Sequence, residues 1–183
     1  TQEISDSLTR HGVRPLTRLD SLGLIGPNSQ LAHAIHLTES EQKLLAARNS
    51  SVIHNPTSNM KLASGIAPVS SMLAKGINVA LGTDGAASNN RLDIFQEMRQ
   101  ATLLAKLATG NAGTLPSHQA IRMATLNGAR ALGLQDRIGS IRSGKEADLC
   151  AVSLGSPQNT PCYGPASQVV YVAGRESVTD VWI

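Results

Sequence analysis

Aromatic side chains make up 2% of the 183 residues: one Phe, two Tyr and one Trp. With Phe95, Tyr163, Tyr171 and Trp182 as the whole inventory, there is no platform on which bases could stack, which argues against single-stranded nucleic-acid binding. Cysteine is scarcer still. Cys150 and Cys162 form no C-x-x-C pair, so neither a disulfide framework nor a zinc knuckle is encoded, and a reducing cytoplasm is the expected compartment. No run approaches the roughly 18 apolar residues that a membrane span needs. Sixteen basic against thirteen acidic residues leave a net charge of +3 with no Lys/Arg block, so phosphate-backbone binding is not expected despite an isoelectric point of about 9.1. The first residues, Thr1-Gln2-Glu3-Ile4, carry no basic or apolar leader and no initiator Met; the expectation is a chain that begins inside a longer protein.

What the sequence does contain is enough apolar material, 41% at a mean hydropathy of −0.07, to fill the core of one domain or of a domain and part of another. Glu3–His11 and Pro15–Leu24 read as helices stopped by Gly12, Gly23 and Gly26-Pro27. Gln30–Leu37 reads as a strand, and Thr38-Glu39-Ser40-Glu41 as the start of a helix running to Arg48. Ser51–His54 is a second strand, Asn55–Asn59 a loop, Ile66–Lys75 a helix and Ile77–Leu81 a third strand ending in Gly82-Thr83-Asp84-Gly85. Leu92–Leu107 carries Ile94, Phe95, Met98, Leu103 and Leu107 at helical spacing, and Pro116–Leu132 reads as one further helix.

Strict β-α alternation with short connections implies parallel strands and right-handed crossovers, hence a doubly wound sheet or part of a (β/α)8 barrel. Beyond a boundary near Gln135 the texture changes to short β-like pieces at 139–141, 147–154, 168–173 and 178–183. The expected organisation is therefore an α/β part over residues 1–135 and a small β unit over 136–183.

In parallel α/β folds the chemistry gathers at the C-terminal ends of the strands, where this chain places His33 and His36, His54, and Asp84. On a strand, His33 and His36 would point to opposite faces and could not readily share a metal. Each histidine can also be read as a hydrogen-bonded structural imidazole, and His54 as part of a network that staples the Asn55–Asn59 loop. Asp84, flanked by glycines that let a ligand approach, suits metal binding or proton transfer; a cap or turn role is the alternative. The chain contains no phosphate-loop glycine pattern and no G-x-S-x-G elbow.

Ala32-His33-Ala34-Ile35-His36-Leu37, His54-Asn55-Pro56-Thr57-Ser58-Asn59, Leu81-Gly82-Thr83-Asp84-Gly85-Ala86-Ala87-Ser88-Asn89-Asn90 and Phe95-Gln96-Glu97-Met98-Arg99 together resemble the amidohydrolase superfamily. Within it they resemble the 5-methylthioadenosine/S-adenosylhomocysteine deaminases, neighbours of the triazine chlorohydrolases. Ala124–Ala129 and Gly139–Leu149 resemble the return from that family's barrel to its small β-sandwich. The resemblance implies the C-terminal part of a metal-dependent (β/α)8 barrel followed by part of a β-sandwich. It implies hydrolytic deamination of a small nucleoside, with one divalent ion, zinc by family and iron or manganese as alternatives.

It assigns Asp84 to the metal, to proton transfer from the attacking water and to contact with the substrate's leaving amine. His33 is placed beside the reacting centre, His54 and Asn59 at the mouth, and His36 in a structural position. The family's His-x-His pair, third metal histidine and ring-protonating glutamate have no counterpart in this sequence. The expectation is a chain that alone neither retains zinc nor deaminates, and that self-associates through uncovered strand edges. A triazine-type hydrolase and a non-catalytic barrel scaffold are the alternatives.

Overall fold

The computed structural model describes residues 2–183. Helices α1 (Gln2–His11) and α2 (Pro15–Ser21) precede strand β1 (Gln30–Ala32), after which strands and helices alternate: α3 (Glu39–Ala47), β2 (Ser51–His54), α4 (Pro56–Lys61), α5 (Val69–Ala74), β3 (Asn78–Leu81) and α6 (Ile94–Thr109). The three strands form one parallel sheet in the order β1-β2-β3, pairing Ala32 with Ile53 and His54 with Leu81. Because the strands run in register, their C-terminal ends finish at one edge of the sheet, which brings the residues after Ala32, Ile53 and Leu81 together.

Local chemistry explains the elements. Thr38 and Glu41 form a reciprocal capping box at the start of α3, and Arg14 satisfies the buried Glu41 carboxylate at 2.9 Å. Asp93 caps α6 by accepting the Phe95 amide, and Gly110 ends that helix in a left-handed conformation. The buried face of α6 differs from the leucine stripe that the spacing predicts. Phe95 and Met98 are buried, but Ala101, Thr102 and Ala105 complete the face while Leu103 and Leu107 lie outside it. Close packing against the helices at Ser117–Ala124 and Pro165–Tyr171 favours small residues there.

Other expectations are corrected as well. The Asn55–Asn59 segment is not a loop but the start of α4, with Pro56 at its first turn. The predicted helix Pro116–Leu132 is two, α7 (Ser117–Ala124) and α8 (Leu126–Ala131), broken at Thr125. The break lets Asn127 donate to Val79 O at 2.9 Å and accept from Asn78 at 3.0 Å, tying α8 to β3. Gln168–Ala173 is not a strand: Pro165 starts helix α9 (Pro165–Tyr171), whose Val170 is fully buried and which packs on α6 and α7. Tertiary burial there overrides the β-branched preference of Val169 and Val170.

The remaining β structure is β4 (Leu149–Val152), antiparallel to β5 (Val178–Trp182). The segment 139–141 is not a strand. Gly139 is held in a left-handed turn, and a Cβ there would lie 2.7 Å from Ala129 Cβ, so only glycine fits against α8. Among the described residues no helix is long and apolar enough to cross a membrane.

Candidate functional site

Strand β1 ends at Ala32, just before His33 and four residues before His36, both expected to lie on it. His33 extends the ladder by one bond, its amide donating to Ile53 O at 2.9 Å; then Ala34 N–H turns back to Ala32 O at 2.8 Å, with φ of 65° at His33 and 48° at Ala34. This tight turn, with His33 at its apex, removes the strand alternation from which opposite orientations of His33 and His36 are expected. His36 lies beyond it, exposed, its carbonyl accepting from Arg14 Nη2.

After β3, Asp84 also adopts a left-handed conformation, φ 60°. Its carboxylate is the point on which three segments converge. Ser58 Oγ of α4 and Ser88 Oγ of the following loop both donate to Oδ2, at 2.7 and 2.8 Å, and His33 Nε2 stands 3.7 Å from the same oxygen. The hydrogen bonds from Ser58 and Ser88, then the Gly85 amide, hold the Asp84 carboxyl below its ordinary value, with a smaller contribution from His33. The side chain is 34% exposed, so an ionised carboxylate faces solvent at the strand ends. A helix-capping role for Asp84 is excluded, because Asp93 caps α6. Left-handed non-glycine residues cost about 1–3 kcal/mol each and cluster where a site needs a fixed geometry.

His33 Nδ1 meets Asn59 Oδ1 at 2.8 Å. His54 is 2% exposed and its Nδ1 has no hydrogen-bond partner, so it does not staple the neighbouring loop through that atom. Burial, aided by His33, pushes its pKa down to about 4, and it stands as a neutral imidazole under the site. A cleft of about 480 Å³ opens beside His33, walled by Ile35 and Leu62 and edged by His36 and Ser64.

Ser88, Asn89 and Glu97 escape a reading of the sequence by type. Glu97 carries a signal nonetheless, an acidic residue beside Met98 on the apolar side of a helix. It is fully buried, accepting from Asn89 Nδ2 at 2.7 Å and from the Thr57 amide at 3.1 Å.

The donor set can be tested against a divalent cation. The serine bonds both fall on Oδ2, the oxygen that His33 Nε2 also approaches at 3.7 Å, leaving Oδ1 as the Asp84 oxygen that no side chain engages. Such a pair fits one flank of a metal site. Among the described residues no three His, Cys, Asp or Glu side chains come together, so the pair does not complete a tetrahedral set.

A model of the Amidohydrolase family matches residues 1–183. A 5-methylthioadenosine/S-adenosylhomocysteine deaminase of Teredinibacter turnerae is 45% identical over all of this chain and 41% of its own length. The crystal structure of an adenosine deaminase from Xanthomonas campestris with bound zinc matches 100% of this chain and 42% of that one, at 50% identity and a TM-score of 0.98. An atrazine chlorohydrolase from Arthrobacter aurescens, complexed with zinc, matches 98% of this chain and 40% of its own at 26% identity and a TM-score of 0.92. The chain thus spans about two fifths of the length of the curated relatives it matches. The parallel sheet with its helices is part of the α/β fold these proteins share.

Proposed function

The chain belongs to the amidohydrolase family, and from that premise we propose that His33 and Asp84 serve a metal-dependent aminohydrolase acting on adenosine-type nucleosides, 5-methylthioadenosine or S-adenosylhomocysteine. The products are ammonia and the inosine analogue. The observation that carries this reading is the ionised, hydroxyl-braced carboxylate of Asp84 facing His33 at 3.7 Å beside an open cleft.

Asp84 would hold a zinc ion through the oxygen left free by Ser58 and Ser88, with further ligands from outside this chain. Zinc, when bound, lowers the pKa of water towards neutrality and so makes a nucleophile available. Asp84 takes the proton that the attacking water gives up as the C6–O bond forms, and delivers it to the amine as the C6–N bond breaks. His33, with its Nδ1 proton directed at Asn59, presents Nε2 to the attacking water and orients it. Ile35 and Leu62 give the cleft beside His33 an apolar lining.

The identity to deaminases, 45–50% against 26% to the chlorohydrolase, favours a nucleoside over a triazine. The convergence of two serines and a histidine on one carboxylate weighs against a non-catalytic scaffold. The test is ammonia release by the natural-length protein from a panel of nucleosides and chloro- and aminotriazines. Turnover of triazines alone, or of nothing when zinc is stoichiometric, would sink the assignment.

The same reading divides the chain near Gln135 into barrel (1–135) and sandwich (136–183) segments. The parallel sheet lies within residues 30–81 and the antiparallel ribbon within 149–182, with α9 crossing back onto α6 and α7. Two exposed free cysteines, Cys150 and Cys162, support the reducing cytoplasm as its compartment. The outer edge of β1 supports homo-oligomerisation when nothing else covers it.

A further inference from the structure

Glu97 is a fully buried carboxylate that pairs with no cation among the described residues. Such a group is costly, and an apolar residue of the same size would serve a core better. Its two oxygens are spent on two different segments. Oε2 accepts the amide of Thr57, and the next residue, Ser58, donates its hydroxyl to Asp84. Oε1 accepts Asn89 Nδ2, and the preceding residue, Ser88, donates the second hydroxyl to Asp84. Asn89 Nδ2 also donates to Thr83 O at 2.9 Å, the carbonyl just before Asp84.

We propose that Glu97 is a positioning residue: from beneath the site it locks α4 and the 83–92 loop together, so that Ser58 and Ser88 both meet one oxygen of Asp84 and leave the other free. The left-handed backbone of Asp84 needs such over-determination, since an unbraced aspartate would relax out of it. Neither serine could supply this alone, because each sits on a segment whose distance from the other is set through Glu97.

The catalytic consequence rests on the function proposed above; the geometric one does not. In the natural-length protein, Glu97→Gln keeps the shape but replaces one acceptor by a donor facing a donor. Its kcat is expected to fall roughly 10–100-fold, as for other residues that orient a ligand from behind. KM should change by less than about threefold, since the substrate is not touched. In a Ser58→Ala/Ser88→Ala background the same substitution should cost less than about threefold more, because the groups it positions are gone.

A crystal structure of Glu97→Gln supplies a readout independent of turnover: at least one serine hydroxyl should leave hydrogen-bond distance of Asp84. Both hydroxyls staying within about 3 Å, or a full additive loss in the double-alanine background, would overturn the proposal. If Glu97→Gln does not fold, Asn89→Ala cuts one of the two links and is read in the same way. Wild-type protein inactive on nucleosides would sink the assigned function while leaving the crystallographic arm to decide this one.

Discussion

Asn59 Oδ1 lies 2.8 Å from His33 Nδ1, joining a helix that follows β2 to the turn that follows β1. A carboxamide oxygen can only accept, so in the neutral ring the proton belongs on Nδ1 and the lone pair on Nε2, which stands 3.7 Å from Asp84 Oδ2. Asn59→Ala should release that tautomer and lower kcat roughly 10–100-fold. The check is steady-state kinetics with nitrogen chemical shifts of His33, which should move from the Nδ1–H pattern. Unchanged shifts would refute the assignment.

Asp84→Asn retains an oxygen for Ser58 and Ser88 but neither charge nor proton affinity. Turnover should fall roughly 10²–10⁴-fold, the range for a positioned acid/base. At pH 7 the variant should be somewhat less stable than wild type, because it lacks the charge that the two hydroxyls brace. The carboxyl is held below its unfolded value, so what it contributes to stability is present above pH 3.8 and fades as pH falls through the lower folded value. Wild type and variant should therefore converge in urea melts only in strongly acidic buffer.

His54 titrates in the same sense, but nearer neutral pH. Burial lowers its folded pKa to about 4 from 6.5, so between those values the unfolded chain binds a proton that the folded one refuses. Stability should fall as pH drops from 6.5 towards 4, by on the order of 3 kcal/mol if the whole shift is expressed. His54→Leu should flatten that slope. Equilibrium denaturation at pH 7 and pH 4.5 gives the comparison, and an equal slope in both proteins would refute it.

Gly82 permits β3 to pass close to β2. A Cβ at this position would fall 2.6 Å from Asn55 Oδ1 and 2.8 Å from Ile53 Cγ2. Gly82→Ala should destabilise by about 1–3 kcal/mol as the strand is pushed away. Because Asp84 is two residues on, activity should fall with it. A thermal melt unchanged from wild type would show that Asn55 and Ile53 can yield.

The 183-residue chain, dialysed against a weak chelator, should retain less than stoichiometric zinc, since one carboxylate and one imidazole do not fill a tetrahedral shell. Metal analysis of the dialysed protein decides it, and full occupancy would require ligands that the described residues do not bring together.

The alternation of strand and helix, the position of Asp84 past an apolar strand, and the His33 and His54 strand ends were legible in sequence, because strand periodicity, glycine stops and capping boxes are local signals. The hydroxyl brace was not. Ser58, Ser88 and Asn89 are ordinary polar residues in type, and their value comes from where α4 and the loop to α6 lie relative to each other. The same holds for α9. Val169 and Val170 favour a strand by intrinsic preference, yet the helix wins because Val170 fills a gap on α6 and α7. The break at Thr125 is likewise decided by Asn127 reaching β3. The sequence by itself determined which residues could carry chemistry and on which elements. Tertiary structure alone decided which of them meet, because parallel strands bring their ends together across tens of residues, beyond the reach of any periodicity along the chain.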